Sequence, residues 1–175
     1  MKTIETKALT ILAVAYLFGV AGDALSQDSA DRYAKLQHLL LNADSVLIVS
    51  HEDTASIIES SDGTVSMDSL LLNGKLNTSI IKEQAVLDKK KLTRLSRLLT
   101  AKMTRFLEQS AGCFMPHHSI VLIKKGKYSY IEICFQCHRL RTSPDIDFFE
   151  NDLNDRKRNK LKQFFLDNHF KYELG

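Results

Sequence analysis

Two short segments hold all three cysteines of the chain and three of its six histidines: Cys113-Phe114-Met115-Pro116-His117-His118 and Cys134-Phe135-Gln136-Cys137-His138. Thiols and imidazoles at these spacings fit four chemistries. The first is a structural disulfide, joining Cys113 to Cys137, Cys113 to Cys134, or Cys134 to Cys137. The second is a metal centre. Cys113, Cys134 and Cys137 with one of His117, His118 or His138 would give a tetrahedral set for zinc, or for copper as the softer alternative. The third is covalent haem, since Cys134-Phe-Gln-Cys137-His138 reads C-x-x-C-H; His138 would be the proximal ligand and Met115, His117 or Met103 the second axial one. The fourth is thiol–disulfide exchange at the C-x-x-C pair. Any one of these histidines taken singly is more simply a surface or hydrogen-bonded side chain.

For these segments to act together, something must bring them together. Ser119 to Lys124 and Lys127 to Phe135 are β-branched and aromatic runs flanking Lys125-Gly126, which predicts a hairpin. A turn centred on Lys125-Gly126 sets Cys134 opposite His117 and His138 opposite Cys113. The hairpin thus carries both segments to one end of a sheet. Strand geometry adds a constraint. On a straight strand Cys134 and Cys137 would stand about 10 Å apart on opposite faces. Sharing a metal or a disulfide requires the chain to leave strand geometry near Cys134. A strand precedes the C-x-x-C pair and the polar stretch Arg139 to Pro144, read as a loop, follows it. The helix N-terminus that activates a redox cysteine and the short-helix setting of a haem attachment site are therefore both missing, and disulfide and metal rank above the other two.

The remaining chain supplies an α+β scaffold. A helix is predicted over about Ser29 to Asn42 (Tyr33, Leu36, Leu39 and Leu40 inward), and a buried strand at Ser45 to Ser50. Further strands are expected at Met67 to Leu72, ended by Asn73-Gly74, and at Ser79 to Leu87. Ser60-Ser61-Asp62-Gly63 is a turn signal. Asp88 reads as the cap of a helix running to about Gln109, with a break near Thr100, and with Leu92, Leu95, Leu98, Leu99, Met103, Phe106 and Leu107 as its apolar stripe. A last helix is expected from Phe149 to Asn168. The whole reads as a small antiparallel sheet, including a hairpin at about 119–135, packed with two or three helices.

The N-terminus carries an export signal. Lys2 and Lys7 precede the uncharged apolar run Ala8 to Val20, and the small residues Ala24 and Ser26 mark a cleavage site before Gln27. The run is short of the about 20 residues a spanning helix needs. The expectation is a signal peptide over 1–26 and one domain over 27–175, exported to the periplasm or beyond, with no membrane span after cleavage. That compartment favours the disulfide. A formal net charge of +3 is modest, and the clusters Lys89-Lys90-Lys91 with Arg94 and Arg97, and Arg156 to Lys162, read as solvated helix faces. Nucleic acid is not an expected partner. The unknown partner is a protein or a small molecule.

Other chemistry is thin. Ser50-His51-Glu52-Asp53 follows a strand but lacks a nucleophile elbow and reads as a polar loop. Asp145, Asp147, Glu150 and Asp152 suit the approach to a helix N-terminus rather than an EF-hand. The seven glycines are scattered singly, so no phosphate loop forms. The stretch Cys113-x-x-Pro116, Ser119-Ile120-Val121-Leu122, Tyr130-Ile131-Glu132-Ile133-Cys134-Phe135-x-Cys137 resembles a pattern in small exported bacterial proteins to which no activity is attached. The resemblance covers about Ala111 to Arg141. It implies a grouping and no mechanism; in that group the residue after the second cysteine is often not histidine, which counts further against haem. The expectation for function is a non-enzymatic exported binding or interaction protein with a structural Cys/His cluster, the alternative being a metal-binding or thiol-redox protein.

Overall fold

The computed structural model of the chain describes residues 30–52, 57–59, 65–67, 70–101, 114–147 and 153–174. The segment read as an export signal, Cys113 and Met103 lie outside them. Alternation of apolar residues in β1 (Ser45–His51), β6 (Ile81–Val86), β7 (His118–Lys124) and β8 (Lys127–Cys134) builds one antiparallel sheet with β9 (Arg139–Thr142), in the order β6-β1-β7-β8-β9. Val46 and Ile48 of β1, Ile120 and Leu122 of β7, and Ile131 and Ile133 of β8 share one face. Against it pack α1 (30–41) through Leu36 and Leu40, α2 (Lys89–Thr100) through Leu95 and Leu99, and α3 (Asp155–Asp167) through Leu161, Phe164 and Phe165. The class is α+β, as the sequence predicts.

The other face of the sheet carries a smaller apolar cluster of Val49, Val121 and Leu70, with Tyr128, Tyr130 and Leu76 against it. Leu70 and Leu76 flank a two-strand hairpin, β4 (Leu71–Leu72) with β5 (Lys75–Leu76). Its turn, Asn73-Gly74, takes positive φ at both residues (51° and 73°), the conformation that matches strand twist in a two-residue turn. A second small hairpin, β2 (Ile57–Glu59) with β3 (Val65–Met67), spans the predicted turn signal at 60–63. The single strand expected over Met67 to Leu72 therefore does not form. Met67 closes β3, and Leu71 turns back through Asn-Gly onto Leu76.

The β7–β8 hairpin has the predicted register. His118 faces Ile133, and Lys124 faces Lys127 around Lys125-Gly126, both at positive φ (50° and 74°). One helix end falls at a predicted break and another differs from expectation. α2 stops at Thr100, where the break is predicted, because Ala101 turns extended; the predicted continuation lies outside the described residues. α3 begins at Asp155 rather than Phe149, because the Asn154 side chain caps it by accepting from the Lys157 N–H (2.9 Å). Asp88 caps α2 in the same way, through Lys91 (2.8 Å).

Lys157 joins the two helices. It is a buried lysine (5% exposed) whose ammonium donates to the Leu99 carbonyl at 2.6 Å and lies over the Tyr33 ring. Leu99 sits in the last turn of α2, where carbonyls lack helical partners and a cation is favourable. Lys157→Met keeps the apolar stem and removes the charge-assisted bond. It is expected to cost about 1.5–3 kcal/mol, read as a lower urea midpoint at unchanged slope.

Candidate functional site

The C-x-x-C segment is the turn between β8 and β9. Cys134 ends β8 and pairs with Arg139, the first residue of β9. The stretch Arg139 to Thr142, read from its polarity as a loop, is thus a short edge strand. Its arginines can alternate along an edge because one side meets water. Phe135 to His138 make the turn, and His138 takes a positive φ of 57° to return the chain. Leaving strand geometry at Cys134 brings its Cα to 5.2 Å from that of Cys137, and the two form a disulfide. Of the three pairings open in the sequence, this is the local one. Cys134 is 1% exposed and Cys137 2%. The Cys137 N–H also donates to the Cys134 sulfur at 3.0 Å.

The three candidate histidines point to different partners. His117 is half-buried, with Nδ1 at 3.4 Å from the His51 carbonyl and its ring edge-on to Tyr172. His118 is buried between the rings of Phe135 and Phe165 (both 5.1 Å), and its Nε2 donates to the Tyr172 carbonyl at 2.9 Å. Burial first of all pushes its pKa down, to about 4, with His51 and His117 adding to the shift; the Tyr172 bond and Glu83 oppose it. His138 lies against Arg158 and 3.9 Å from Asp155, at the start of α3. A tetrahedral zinc or copper set built on Cys134 and Cys137 would need two thiolates, and a c-type haem two thiols. The disulfide supplies neither.

The sheet end holds polar groups that sequence reasoning missed. Ser50 and His51 are not loop residues. They complete β1 and are fully buried. His51 Nδ1 donates to the Glu52 carbonyl (2.7 Å), so in the neutral ring Nε2 accepts from the Ser119 hydroxyl (2.8 Å). That is the tautomer of a nucleophile–base pair. Yet both residues are 0% exposed, and Ser119 lies within β7, between β1 and β8, where its backbone serves the ladder rather than an oxyanion. On the helix-covered face, Glu83 accepts from the Ser50 hydroxyl (2.8 Å) and from the N–H groups of Lys171 (2.9 Å) and Tyr172 (3.2 Å). Burial raises the Glu83 pKa, but these three donors outweigh it and hold the carboxyl below its ordinary value. Glu83 and His118 together strap the segment Lys171–Tyr172 to the sheet. On the other face Glu132 (2% exposed) accepts from Arg141 Nε at 2.7 Å, and the Arg141 guanidinium lies 4.7 Å from the centre of the Phe114 ring. The one signal for these groups in the sequence is positional: Ser119 alternates with Val121, and His118 with Ile120 and Leu122.

No family model, curated protein or solved structure matches the chain.

Proposed function

We propose that the chain is an exported, non-enzymatic binding or interaction protein in which Cys134–Cys137 is a structural staple. One observation carries this: both sulfurs are bonded to each other and buried in the turn that ties the edge strand β9 to β8. A disulfide fits an oxidising compartment, which is where the Met1–Ser26 signal would deliver the chain. Two imidazoles of the same sheet support this reading, since His51 and His118 are buried and bonded within the fold.

A thiol-redox role is the second reading, favoured by the Cys137 N–H aimed at the Cys134 sulfur. A donor there would stabilise a Cys134 thiolate after reduction. Burial opposes it, because an exchange partner reaches neither sulfur until the turn opens.

Intact mass of the protein from the cells that make it, with and without reductant and alkylation, tests both. The expected mass begins at Gln27 and is short by one pair of hydrogens, with only Cys113 alkylated before reduction. Replacing both Cys134 and Cys137 by alanine is expected to cost about 2 kcal/mol, the value for so short a loop, and to leave the fold intact. Rapid opening of the disulfide by a dithiol under native conditions would move the assignment to redox chemistry. A full-length mass with a native adduct of one zinc or copper ion would overturn both export and staple.

A further inference from the structure

The two edges of the sheet differ. β9 is four residues long and presents Arg139 and Arg141. β6 is longer, is bonded on one side only, and carries Val86 at 66% exposure, the most exposed large apolar side chain among the described residues. The register fixes which of its backbone groups are open. Leu87 N–H donates to the Val46 carbonyl (2.9 Å), so residues 83, 85 and 87 bond toward β1. Alternation then turns the N–H and C=O of Gln84 and Val86 outward. Among the described residues nothing bonds to them. On the other side of Glu83 the register shifts between Ser50 and His51, leaving Lys82 without a facing residue. That bulge limits the open edge to about residues 83–87.

We infer that two copies of this chain pair their β6 strands antiparallel about a two-fold axis at Ala85, joining two five-stranded sheets into one. The sequence of this edge is complementary to itself in that register. Ala85 meets Ala85 of the second copy at the close-approach position, where a small side chain fits. Gln84 and Val86 exchange both backbone bonds with Val86 and Gln84 of the second copy, four in all. Glu83 falls opposite Leu87 of the second copy, so no like charges meet within the open edge. Centring the axis on Glu83 would instead oppose two carboxylates, and centring it on Gln84 would run the ladder through the bulge. The pairing covers Val86 and ends the open edge, as a symmetric strand addition should. It does not depend on the reading of the disulfide.

Sedimentation velocity of the full purified chain tests the inference. The expected mass is twice that of the monomer. The double variant Gln84→Lys/Val86→Lys places like charges opposite each other and is expected to sediment as a monomer that keeps the native far-ultraviolet circular dichroism. Gln84→Glu/Val86→Lys places opposite charges there and is expected to remain a dimer. Hydrogen exchange gives a separate reading: the Gln84 and Val86 amides should exchange as slowly as Ala85 in the native chain and much faster in the monomeric variant. A monomeric native chain overturns the inference. So does a dimer that survives both variants, or one lost equally in both, since either places the contact elsewhere or makes it non-specific.

Discussion

Phe165→Ala is expected to cost about 3–5 kcal/mol, a large part of the about 5–15 kcal/mol by which a domain of this size is stable. Phe165 is fully buried and touches the rings of His118, Phe135, Phe164 and Phe170, each edge-on or tilted, with centroids 5.1 to 6.5 Å away. It is therefore where α3, the sheet, the turn closed by the disulfide and the C-terminal strap meet. Removing the ring leaves a cavity bounded by other aromatics, which are too stiff to collapse into it. Phe165→Leu fills more of the space and should cost less than half as much. Urea unfolding followed by far-ultraviolet circular dichroism checks both. An alanine variant within about 1 kcal/mol of the native chain would mean that these four elements do not share one core.

Acid is expected to remove about 3 kcal/mol of stability through His118 alone. The sign follows from where its protons bind. In the native state the ring stays neutral down to about pH 4, while in the unfolded chain it titrates at its ordinary 6.5. Between those values the unfolded state holds more protons. Stability is therefore complete above about pH 6.5 and declines as pH falls toward about 4. Glu83 acts in the same direction at lower pH, because its carboxyl is held below its ordinary value and its stabilisation is lost as it protonates. Charged His118 would sit between Phe135 and Phe165, near His51 and His117, with Glu83 as its counter-charge and Lys171–Tyr172 overhead. The measurement is the urea midpoint as a function of pH. His118→Gln can still donate to the Tyr172 carbonyl but does not titrate, so its midpoint should be flat between about pH 6.5 and 4.5. An equal slope in the variant would assign the acid sensitivity to other groups.

Much of the scaffold was readable because local and global signals agree in it. The β7–β8 hairpin has β-branched alternation on both sides of a Lys-Gly turn that accepts positive φ, and its register follows from that turn alone. α2 has an acidic cap and a leucine stripe. β9 was not readable, because Arg-Leu-Arg-Thr has the composition of a loop and becomes a strand only through pairing with β8. The candidate site was half readable. Spacing gathered the cysteines and histidines at one sheet end, but three pairings were open, and only the backbone reversal at His138 selects Cys134 with Cys137. The polar row of buried Ser50, His51, Ser119 and Glu132, with half-buried Glu83 beside it, was hidden for a different reason. Polar side chains read as surface until the partner of each is known, and those partners come from strands far apart in the chain.

The interior position of β1, between β6 and β7, also sets the order of events in time. Its partner in the His51–Ser119 bond is 68 positions away, whereas the β7–β8 and β8–β9 turns close over a few residues. The two local hairpins can form within about 1–10 microseconds of the chain becoming free. Docking β1 between β6 and β7 must wait for closure of the long loop, and contacts of that range slow folding into the millisecond-to-second regime. Until that step His51, Ser119 and the strap-holding Glu83 remain in water. The slow event that completes the sheet is the same one that takes the polar row out of solvent.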